Sequence, residues 1–531
     1  MIGSRPWPRD IPILPGLLVL AAALRLPDLA TRGTWDADQG HDMLVLRALA
    51  RDGVIPLLGP PTSIGDVHHG ALYYFLLAPA AAVTGGDSPL AVVLWIALAG
   101  IAAVGVTWWL ARSMAGPVAG LVAGLAIAIS PAAIDESTFI WNPNLIALSS
   151  AVALAGAWRA WTTRRPAWSL VGAAGTAVTM QCHVLGVTLL PVVGALLVAD
   201  VRRRVSPSER RALVRVGLAG LAIIALSFLP LLIHELTSNF SEVQAALTYL
   251  RRGGDPSSLG PLPRFLVVSS RVVSWPLVGL ITAGVSAAIL AIVVVLSLAS
   301  WRFMAATGPE RVAARWLTLG LAWTALALTI ISPSLASVVE GLPNDHYHAF
   351  ADPMVLVLVG IGAAALWRTR NGRALALAGM LVMIAWAAGH QPPAVAPDGG
   401  FPSAADAAAR VEREAGVGPV EIASLPTFKT AEAYEYPLVR DRIRVQAVSL
   451  GQGAPIVSGV LVVVCDSLYE AVIGKPCGGS AEAAAISGGY GQPIDRFNAA
   501  PRQVISVYRA AQGSSRGLLA SRLLPAGLQE Q

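Results

Sequence analysis

Long apolar stretches with almost no charge recur along the first three quarters of this 531-residue chain. A helix needs about 20 apolar residues to cross the roughly 30 Å of hydrocarbon in a bilayer. Eleven stretches come near that length, and a twelfth, Ala71–Val83, is too short and predicts a helix at the membrane surface. The eleven are Ile11–Leu29, Leu90–Ala111, Pro117–Ile134, Leu145–Trp161, Ala167–Met180, Val184–Ala199, Leu213–Ile233, Val272–Ala299, Trp316–Ile331, Phe350–Trp367 and Ala374–Ala388. The pattern predicts an all-α polytopic membrane protein with about 11 transmembrane helices.

The composition excludes two other classes of protein. Charged residues make up 13 % of the chain and hydrophobic residues 55 %, whereas a soluble domain carries about 25 % charged residues. A soluble enzyme and a disordered chain are both excluded. The net charge of +6 comes from arginines grouped between apolar stretches, so we expect membrane lipids and no nucleic acid as partners.

The arginines of the short loops predict the orientation of the chain. If the first stretch runs outward from the cytoplasm, 18 arginines fall in inside segments and 8 in outside ones. Positive charge favours the cytoplasmic side. We therefore expect a multi-pass inner (cell) membrane protein with a cytoplasmic N-terminus and everything after Ala388 outside. Arg5 and Arg9 before an apolar run also fit a signal peptide, but a retained first helix is the favoured interpretation.

The composition changes at His390–Pro402, which is rich in proline and glycine and predicts a linker. We expect a transmembrane domain over 1–390, with catalytic outer loops, and a small extracytoplasmic α/β domain over 391–531. Beyond the linker, the pattern predicts a helix and four short strands, and from Gly513 onward a flexible tail. The predicted elements are Ala404–Ala415, Val420–Ser424, Ile443–Val448, Val460–Val464 and Val504–Tyr508.

The three cysteines leave one question open. Cys465 and Cys477 lie in the domain expected outside, where a disulfide is permitted, and two unpaired thiols are an equal alternative. Cys182 has no evident partner in the sequence. No Cys-x-x-Cys or His-x-x-x-His spacing occurs. We therefore predict no cofactor, with a divalent metal ion left possible.

The polar residues gather on the predicted outer face, where all eight histidines lie and where the first loop, Thr31–Gly70, is rich in aspartate. Carboxylates so close to the hydrocarbon are costly unless they are solvated or used. Asp36 and Asp38 are candidates for a base that takes a proton from an attacking hydroxyl group. The alternative is a solvated loop in which Asp38 caps a helix that starts at Gln39.

Four segments of these outer loops together resemble a known family. Asp38–His41 resembles the Asp-Glu-x-basic motif in the first outer loop of the glycosyltransferase C superfamily, in particular of protein O-mannosyltransferases and bacterial aminoarabinose transferases. Val67–Tyr74 is similar to their basic-Pro-Pro-Leu-Tyr-Tyr segment, with Gly70-Ala71 in place of the two prolines. Phe139–Asn144 resembles a Trp-Asn-Pro-Asn segment of bacterial relatives, and His346–His348 stands where relatives often carry Arg-Tyr-Leu.

The resemblance implies an inverting transfer of a monosaccharide from a polyprenyl-phosphate donor to a hydroxyl group of a protein, lipid or glycan acceptor. Asp38 then matches the base, with Asp36 as its rival. The resemblance also implies that His41, His69 and His346 bind the donor phosphate, at positions where relatives carry arginine or lysine. Gln39 replaces the glutamate of the family.

The remaining positions of these motifs are candidate substrate contacts. They are His68, Tyr73, Tyr74, Asn142 and Asn144. Other interpretations are that the two tyrosines are interfacial aromatic residues and that the two asparagines cap the helix after Pro143.

Two other classes of function compete with the enzyme. A transporter or flippase would line a pathway with polar residues, but such proteins usually show repeated halves and mid-membrane charges. No repeat is visible, and the polar residues gather at one face. A scaffold that only presents the outside domain would have no need of the first-loop residues.

Overall fold

The structure is a computed structural model. It describes residues 13–62, 67–252, 259–279, 284–336, 345–416, 418–426, 430–448, 450, 459–467, 478–479, 482, 486 and 490–509. Cys477 and the expected tail after Gly513 lie outside these residues, and so do the side chains at 333, 334, 345 and 346.

The part of the chain before residue 390 is almost entirely helical. Its first ten α-helices are α1 (Ile13–Arg25), α2 (Leu29–Arg32), α3 (Ala37–Arg47), α4 (Leu72–Thr84), α5 (Pro89–Ala115), α6 (Pro117–Ile129), α7 (Pro131–Asp135), α8 (Ile146–Thr163), α9 (Trp168–Cys182) and α10 (Leu189–Arg203). They are followed by α11 (Pro207–Ser227), α12 (Leu229–Thr237), α13 (Ser241–Arg251), α14 (Pro261–Val278), α15 (Val285–Ala305), α16 (Gly308–Ile331), α17 (Asp352–Leu366) and α18 (Arg370–Gly389). Short 3₁₀ segments precede α8, α10 and α17, at Asn142–Leu145, Val184–Thr188 and Asp345–Ala351.

Helices occur at all eleven predicted spans, but fewer of them are long enough to cross a membrane. Within the described residues, seven helices meet the length and hydropathy of a span, and α11 with α12 makes an eighth if the pair, bent by 49°, is counted as one. The other three, α1, α6 and α9, have 13 to 15 residues each. The predicted class, a polytopic helical membrane protein, is confirmed, whereas the predicted number of eleven full crossings is not.

Helix α6 ends five residues before the end of the predicted span Pro117–Ile134. Pro131 has no amide hydrogen to continue the helix, and the guanidinium group of Arg25 takes the carbonyl groups that are left. Its Nη1 and Nη2 donate to the carbonyl oxygens of Ala128 and Ile127 at 2.8 and 2.9 Å. A buried arginine from the end of α1 therefore closes α6.

The predicted span Val272–Ala299 is two helices, α14 and α15. Helix α14 ends at Gly279, whose φ of 75° glycine adopts without the strain of a side chain. Helix α4 corresponds to the predicted surface helix Ala71–Val83, and Tyr73, Tyr74 and Leu77 on its inner face are fully buried. It is thus packed into the protein along one side.

After residue 390 the chain forms a small α/β unit, as predicted. Helices α19 (Gly400–Ala415) and α20 (Glu432–Arg440) flank a five-stranded mixed sheet in the order β4-β3-β5-β7-β6. Its strands are β3 (Val420–Leu425), β4 (Val445–Ala447), β5 (Val460–Asp466), β6 (Asp495–Ala500) and β7 (Gln503–Arg509). The other two strands, β1 (Leu58–Pro61) and β2 (His68–Gly70), pair within the first loop. Helix α20 and strand β6 are additions to the predicted elements.

The small unit packs directly on the first loop. Trp35 of that loop contacts Phe401 and Tyr436 with ring centroids 4.7 and 5.6 Å apart, and its Nε1 donates to the carbonyl oxygen of Ala433 at 2.8 Å. One hydrophobic cluster runs from the helix bundle through Trp35 into the small unit. This packing places α20 beside α3, where the candidate site lies.

Candidate active site

Asp36 is the N-cap residue of α3. Its Oδ1 accepts from the amide of Ala37 at 2.7 Å, and the side chain of Gln39 accepts from the amide of Asp36 at 2.7 Å in a capping box. Such a pair satisfies amide groups that a helix start leaves unpaired. The capping interpretation was therefore right in kind but wrong in residue, since Asp36 and not Asp38 is the cap.

Asp38 lies in the first turn of α3, and its side chain is exposed. It is the exposed residue of a helix start in which Ala37, Gln39 and Gly40 are buried. A carboxylate near a helix N-terminus is stabilised as an anion by the helix dipole, so Asp38 is the accessible anionic group of this helix turn.

Gln39 connects the first motif to the third. Its side chain is buried, its Oε1 holds the amide of Asp36, and its Nε2 donates to the carbonyl oxygen of Ile140 at 2.9 Å. An ionised glutamate would have no hydrogen to donate to Ile140. The amide that replaces the family's glutamate is thus a structural bridge between α3 and the segment Phe139–Asn144.

Asp42 is a fully enclosed carboxylate, one turn beyond Asp38. The hydroxyl groups of Tyr73 and Tyr74 donate to its two oxygens at 2.7 and 2.9 Å. Burial raises the pKa of Asp42 to about 7, although His41 and the two hydroxyl groups oppose the rise. Both tyrosines are fully buried, so the structure places them on Asp42 and neither at an exposed interface nor at an open substrate groove.

His41 forms an ion pair with a residue of the small α/β unit. Its Nδ1 lies 2.9 Å from Oε1 of Glu432 on α20, and the hydroxyl group of Thr430 donates to the other carboxylate oxygen at 2.8 Å. Burial alone would lower the pKa of His41, but Glu432, together with Asp42 and Asp38, outweighs it and raises the pKa to about 9. His41 is therefore an imidazolium at neutral pH.

His68 is held by Glu242 of α13. The carboxylate of Glu242 accepts from the backbone amide of His68 at 2.7 Å and lies 2.8 Å from its Nδ1. Burial tends to raise the pKa of Glu242, but these bonds to His68 outweigh it and lower the pKa. The pair fixes the strand that leads to His69.

His69 belongs to a group of rings that we call the imidazole cluster, made of His69, His183 and Tyr347. The ring of His183 lies 5.1 Å from that of His69 and 4.7 Å from that of Tyr347. Burial, and after it His183 and His68, lowers the pKa of His69 well below its usual value. This lowered pKa favours the neutral imidazole of His69, and its expected role at the donor phosphate stays a prediction.

The two asparagines of the third motif bind backbone carbonyl groups. Nδ2 of Asn142 donates to Cys182 at 2.5 Å and Nδ2 of Asn144 donates to Phe139 at 2.8 Å. The short helix that contains them has Trp141 at its cap position, and α8 after it has Leu145 there; neither helix has a side-chain cap. The capping interpretation of these asparagines is therefore wrong, and their amides fix the loop beside the imidazole cluster.

The remaining expectations concern His346, the cysteines and a metal site. The side chain of His346 is outside the described part of the chain. Cys182 is free and buried, whereas Cys465 is disulfide-bonded, which leaves Cys477 as the remaining cysteine. Among the residues that the structure describes, no three His, Cys, Asp or Glu side chains form a metal-binding group.

Sequence reasoning missed Glu432 and Glu242. Each holds a histidine of a motif that the sequence analysis selected, but the partners are 391 and 174 positions apart. No local pattern marks either glutamate. The role of Asp42 could have been predicted from the sequence. A buried carboxylate needs hydrogen-bond donors, and the adjacent Tyr73 and Tyr74 of the second motif offer two hydroxyl groups.

The fold and these contacts define a class: a multi-pass membrane protein whose first loop helix is held between the helix bundle and a small α/β unit. The sequence profile of the family described as dolichyl-phosphate-mannose-protein mannosyltransferase matches residues 68–233. No curated protein sequence matches the chain.

Solved structures share this fold over nearly the whole chain. ArnT from Cupriavidus metallidurans bound to undecaprenyl phosphate has a TM-score of 0.61 and 13 % identity, covering 95 % of this chain and 98 % of that one. Its apo structure has a TM-score of 0.58 and 13 % identity, with coverages of 94 % and 97 %. The oligosaccharyltransferase of Archaeoglobus fulgidus in complex with Zn and sulfate has a TM-score of 0.52 and 13 % identity, with coverages of 95 % and 74 %. The chain is therefore similar in sequence to that mannosyltransferase family over residues 68–233, and its fold is ArnT-like.

Proposed function

We propose that this protein transfers a monosaccharide from a polyprenyl-phosphate donor to a hydroxyl acceptor, with inversion, at the outer face of the inner membrane. The observation that carries the proposal is the exposed Asp38 on a helix whose other contacts hold it rigidly, within a fold shared with ArnT bound to undecaprenyl phosphate. A base must be both accessible and held in position to take a proton efficiently.

Asp38 is the base in this proposal. Its carboxylate takes the proton of the acceptor hydroxyl group while the acceptor oxygen bonds to the anomeric carbon of the sugar. The bond from that carbon to the phosphate oxygen breaks on the opposite face, and polyprenyl phosphate leaves with the bonding electron pair. The configuration at the anomeric carbon is inverted. Asp36 is the weaker candidate, because its carboxylate caps the helix.

The leaving phosphate needs positive charge or hydrogen-bond donors as the glycosidic bond breaks. His41 brings the charge, since its pKa of about 9 keeps it protonated at neutral pH. His69 is neutral and acts as a hydrogen-bonding group. His346 remains a proposed phosphate ligand on the resemblance alone. His68, Asn142 and Asn144 border this region and are proposed to orient the sugar.

The proposal includes the orientation in the membrane. The distribution of arginines favours a cytoplasmic N-terminus and an extracytoplasmic α/β unit. A polyprenyl-phosphate sugar presented at the outer leaflet then meets Asp38 from the bilayer. The acceptor, which is a protein, a lipid or a glycan, approaches from outside the membrane.

A transfer assay tests the proposal against the rival transporter or flippase. The purified protein in detergent is mixed with radiolabelled polyprenyl-phosphate mannose or polyprenyl-phosphate aminoarabinose and with a membrane extract from a deletion strain. An enzyme moves label to an acceptor in detergent, where no two compartments exist, while a flippase moves none. Mass spectrometry of the glycans and glycolipids of the deletion strain identifies the product that is lost. An unchanged strain together with an inactive protein would contradict the proposal.

A further inference from the structure

Two residues of the α/β unit contact the loop that leads into α3, the first loop helix. The carboxylate of Asp398 accepts hydrogen bonds from the hydroxyl group of Thr34 and from the backbone amide of Trp35. Phe401 lies against the ring of Trp35. The loop that leads into α3 is therefore held by the α/β unit before the helix begins.

The contact continues along α3 itself, through a glycine. A side-chain carbon at Gly40 would come within 2.1 Å of the carbonyl oxygen of Glu432, closer than any real contact of that kind. The backbones of α3 and α20 thus approach each other directly at Gly40. Only a residue without a side chain permits this approach without a shift of one helix.

The His41–Glu432 pair lies next to this glycine contact. His41 faces Glu432 from α20 and has Asp42 and Asp38 beside it on its own helix, and Tyr74 of α4 lies near the same carboxylates. Both members of the pair are largely buried, at 17 % and 10 % side-chain exposure. The single imidazolium thus stands among three carboxylates, of which Asp38 alone is exposed.

We propose that Glu432 is a positioning residue for the transfer reaction: through His41 it sets the position and the local charge of the helix turn that presents Asp38, so the α/β unit completes the active site. This inference rests on the proposed function. It gives the C-terminal unit a role within the reaction itself, beyond presentation of a surface.

The physical reason is the cost of removing one partner from a buried pair. Without the carboxylate of Glu432, burial opposes the charged form of His41, and the imidazole loses its proton near neutral pH. The repulsion among the remaining carboxylates is then uncompensated, and α3 shifts at its first turn. A shift of about 1 Å in a catalytic group can cost about 100-fold in rate.

The test compares Glu432→Gln and Glu432→Asp in the full-length protein. Glu432→Gln removes the charge and is expected to lower kcat by about 10- to 100-fold, while the KM for the donor changes less. Glu432→Asp keeps the charge and is expected to recover part of that rate. Asp495→Asn is the matched control, because it breaks the Arg410–Asp495 ion pair of the same unit at a distance from α3.

The pH profile separates positioning from general damage. Wild type is expected to lose activity as the pH rises through about 9, where His41 deprotonates, and Glu432→Gln is expected to move that limb downward by about 1–3 pH units. In a His41→Gln background, the further change Glu432→Gln is expected to have little effect, because the pair is already broken. Hydrogen–deuterium exchange of the peptide 37–47 is expected to rise in Glu432→Gln and to stay unchanged in Asp495→Asn.

If Glu432→Gln has the kcat, the pH profile and the hydrogen–deuterium exchange of wild type, the inference is overturned. Transfer of sugar by wild type would still uphold the proposed function. An equal loss of activity in Asp495→Asn and Glu432→Gln, with identical pH profiles, would also overturn it. A wild type that transfers no sugar would instead contradict the proposed function, and the exchange measurement would still report on the contact between α20 and α3.

Discussion

The hydroxyl group of Tyr73 donates a hydrogen bond to the enclosed carboxylate of Asp42 at 2.7 Å, 31 positions away in the chain. Tyr74 donates to the other oxygen of the same carboxylate. Two consecutive residues of α4 thereby hold α3, which α20 also contacts. The accessible Asp38 lies on a helix that two other helices hold in place.

Tyr73→Phe removes one donor from Asp42, and its effect depends on pH. Burial holds the pKa of Asp42 near 7, so the carboxylate is ionised at about pH 8.5 and protonated at about pH 5.5. A hydrogen bond to a charged group contributes about 1.5–3 kcal/mol and a neutral one about 0.5–1.5 kcal/mol. Thermal unfolding should therefore show a larger loss of stability at the higher pH.

The sign of this effect follows from proton binding. A raised pKa means that the folded state binds the proton of Asp42 more tightly than the unfolded state, so stability falls as the pH rises from about 4 to about 7. Tyr73→Phe removes a group that favours the ionised form, which raises the pKa of Asp42 further and should extend that fall to higher pH. A loss independent of pH would show that the hydroxyl group only fills space.

Asp38→Asn should abolish most of the activity because it keeps the shape of the side chain and removes the proton acceptor. A positioned base contributes about 10² to 10⁴ in rate, so kcat should fall by that factor. Asp36→Asn is the matched control, since asparagine is also a good N-cap and the capping box survives. An inactive Asp36→Asn beside a nearly normal Asp38→Asn would reverse the assignment of the base.

His69→Gln should weaken donor binding by the same factor at about pH 6 and about pH 9. His69 is neutral at both values, because burial, His183 and His68 keep its pKa low. His41→Gln provides the contrast: its effect should be present at neutral pH and disappear above about pH 9. A loss in His69→Gln that is confined to low pH would restore the cationic role of His69.

Gln39→Glu introduces the residue that the family carries and should destabilise this chain. An ionised glutamate has no hydrogen for the carbonyl oxygen of Ile140, and a buried unpaired group costs about 1–3 kcal/mol. The loss, measured as a fall in the unfolding midpoint, should be smaller at about pH 5, where a protonated glutamate donates again. An unchanged midpoint at neutral pH would mean that the bridge contributes nothing.

Two single cysteines test the orientation in the membrane. Asp52→Cys lies at an exposed position of the first loop, which is expected outside. Arg165→Cys lies at an exposed position just after the C-terminal end of α8, which is expected inside. Cys182 is buried and Cys465 is disulfide-bonded, so neither interferes. An impermeant maleimide should label position 52 in intact spheroplasts and position 165 only after permeabilisation. The reverse pattern would invert the proposed topology.

Much of the fold follows from the order of residues along the chain. The apolar runs predict where helices occur, because a membrane helix satisfies its own backbone and needs only a local run of apolar residues. The same local logic predicts the mixed α/β unit and the strands Val420–Ser424 and Val460–Val464, which lie side by side in β3 and β5. The stabilisation of a helix end is less local: Pro131 stops α6, but the last carbonyl groups are bound by Arg25, more than 100 positions away.

In the candidate site, too, some properties follow from the local sequence and others only from the packed chain. Sequence alone selected Asp38, His41 and His69 by their motifs, because residue type and spacing are visible in a single loop. It did not determine their charge states, since these depend on partners far along the chain: Glu432 keeps His41 protonated, while burial beside His183 keeps His69 neutral. Burial and long-range pairing are properties of the packed chain, and therefore only the tertiary structure decided which histidine carries the charge.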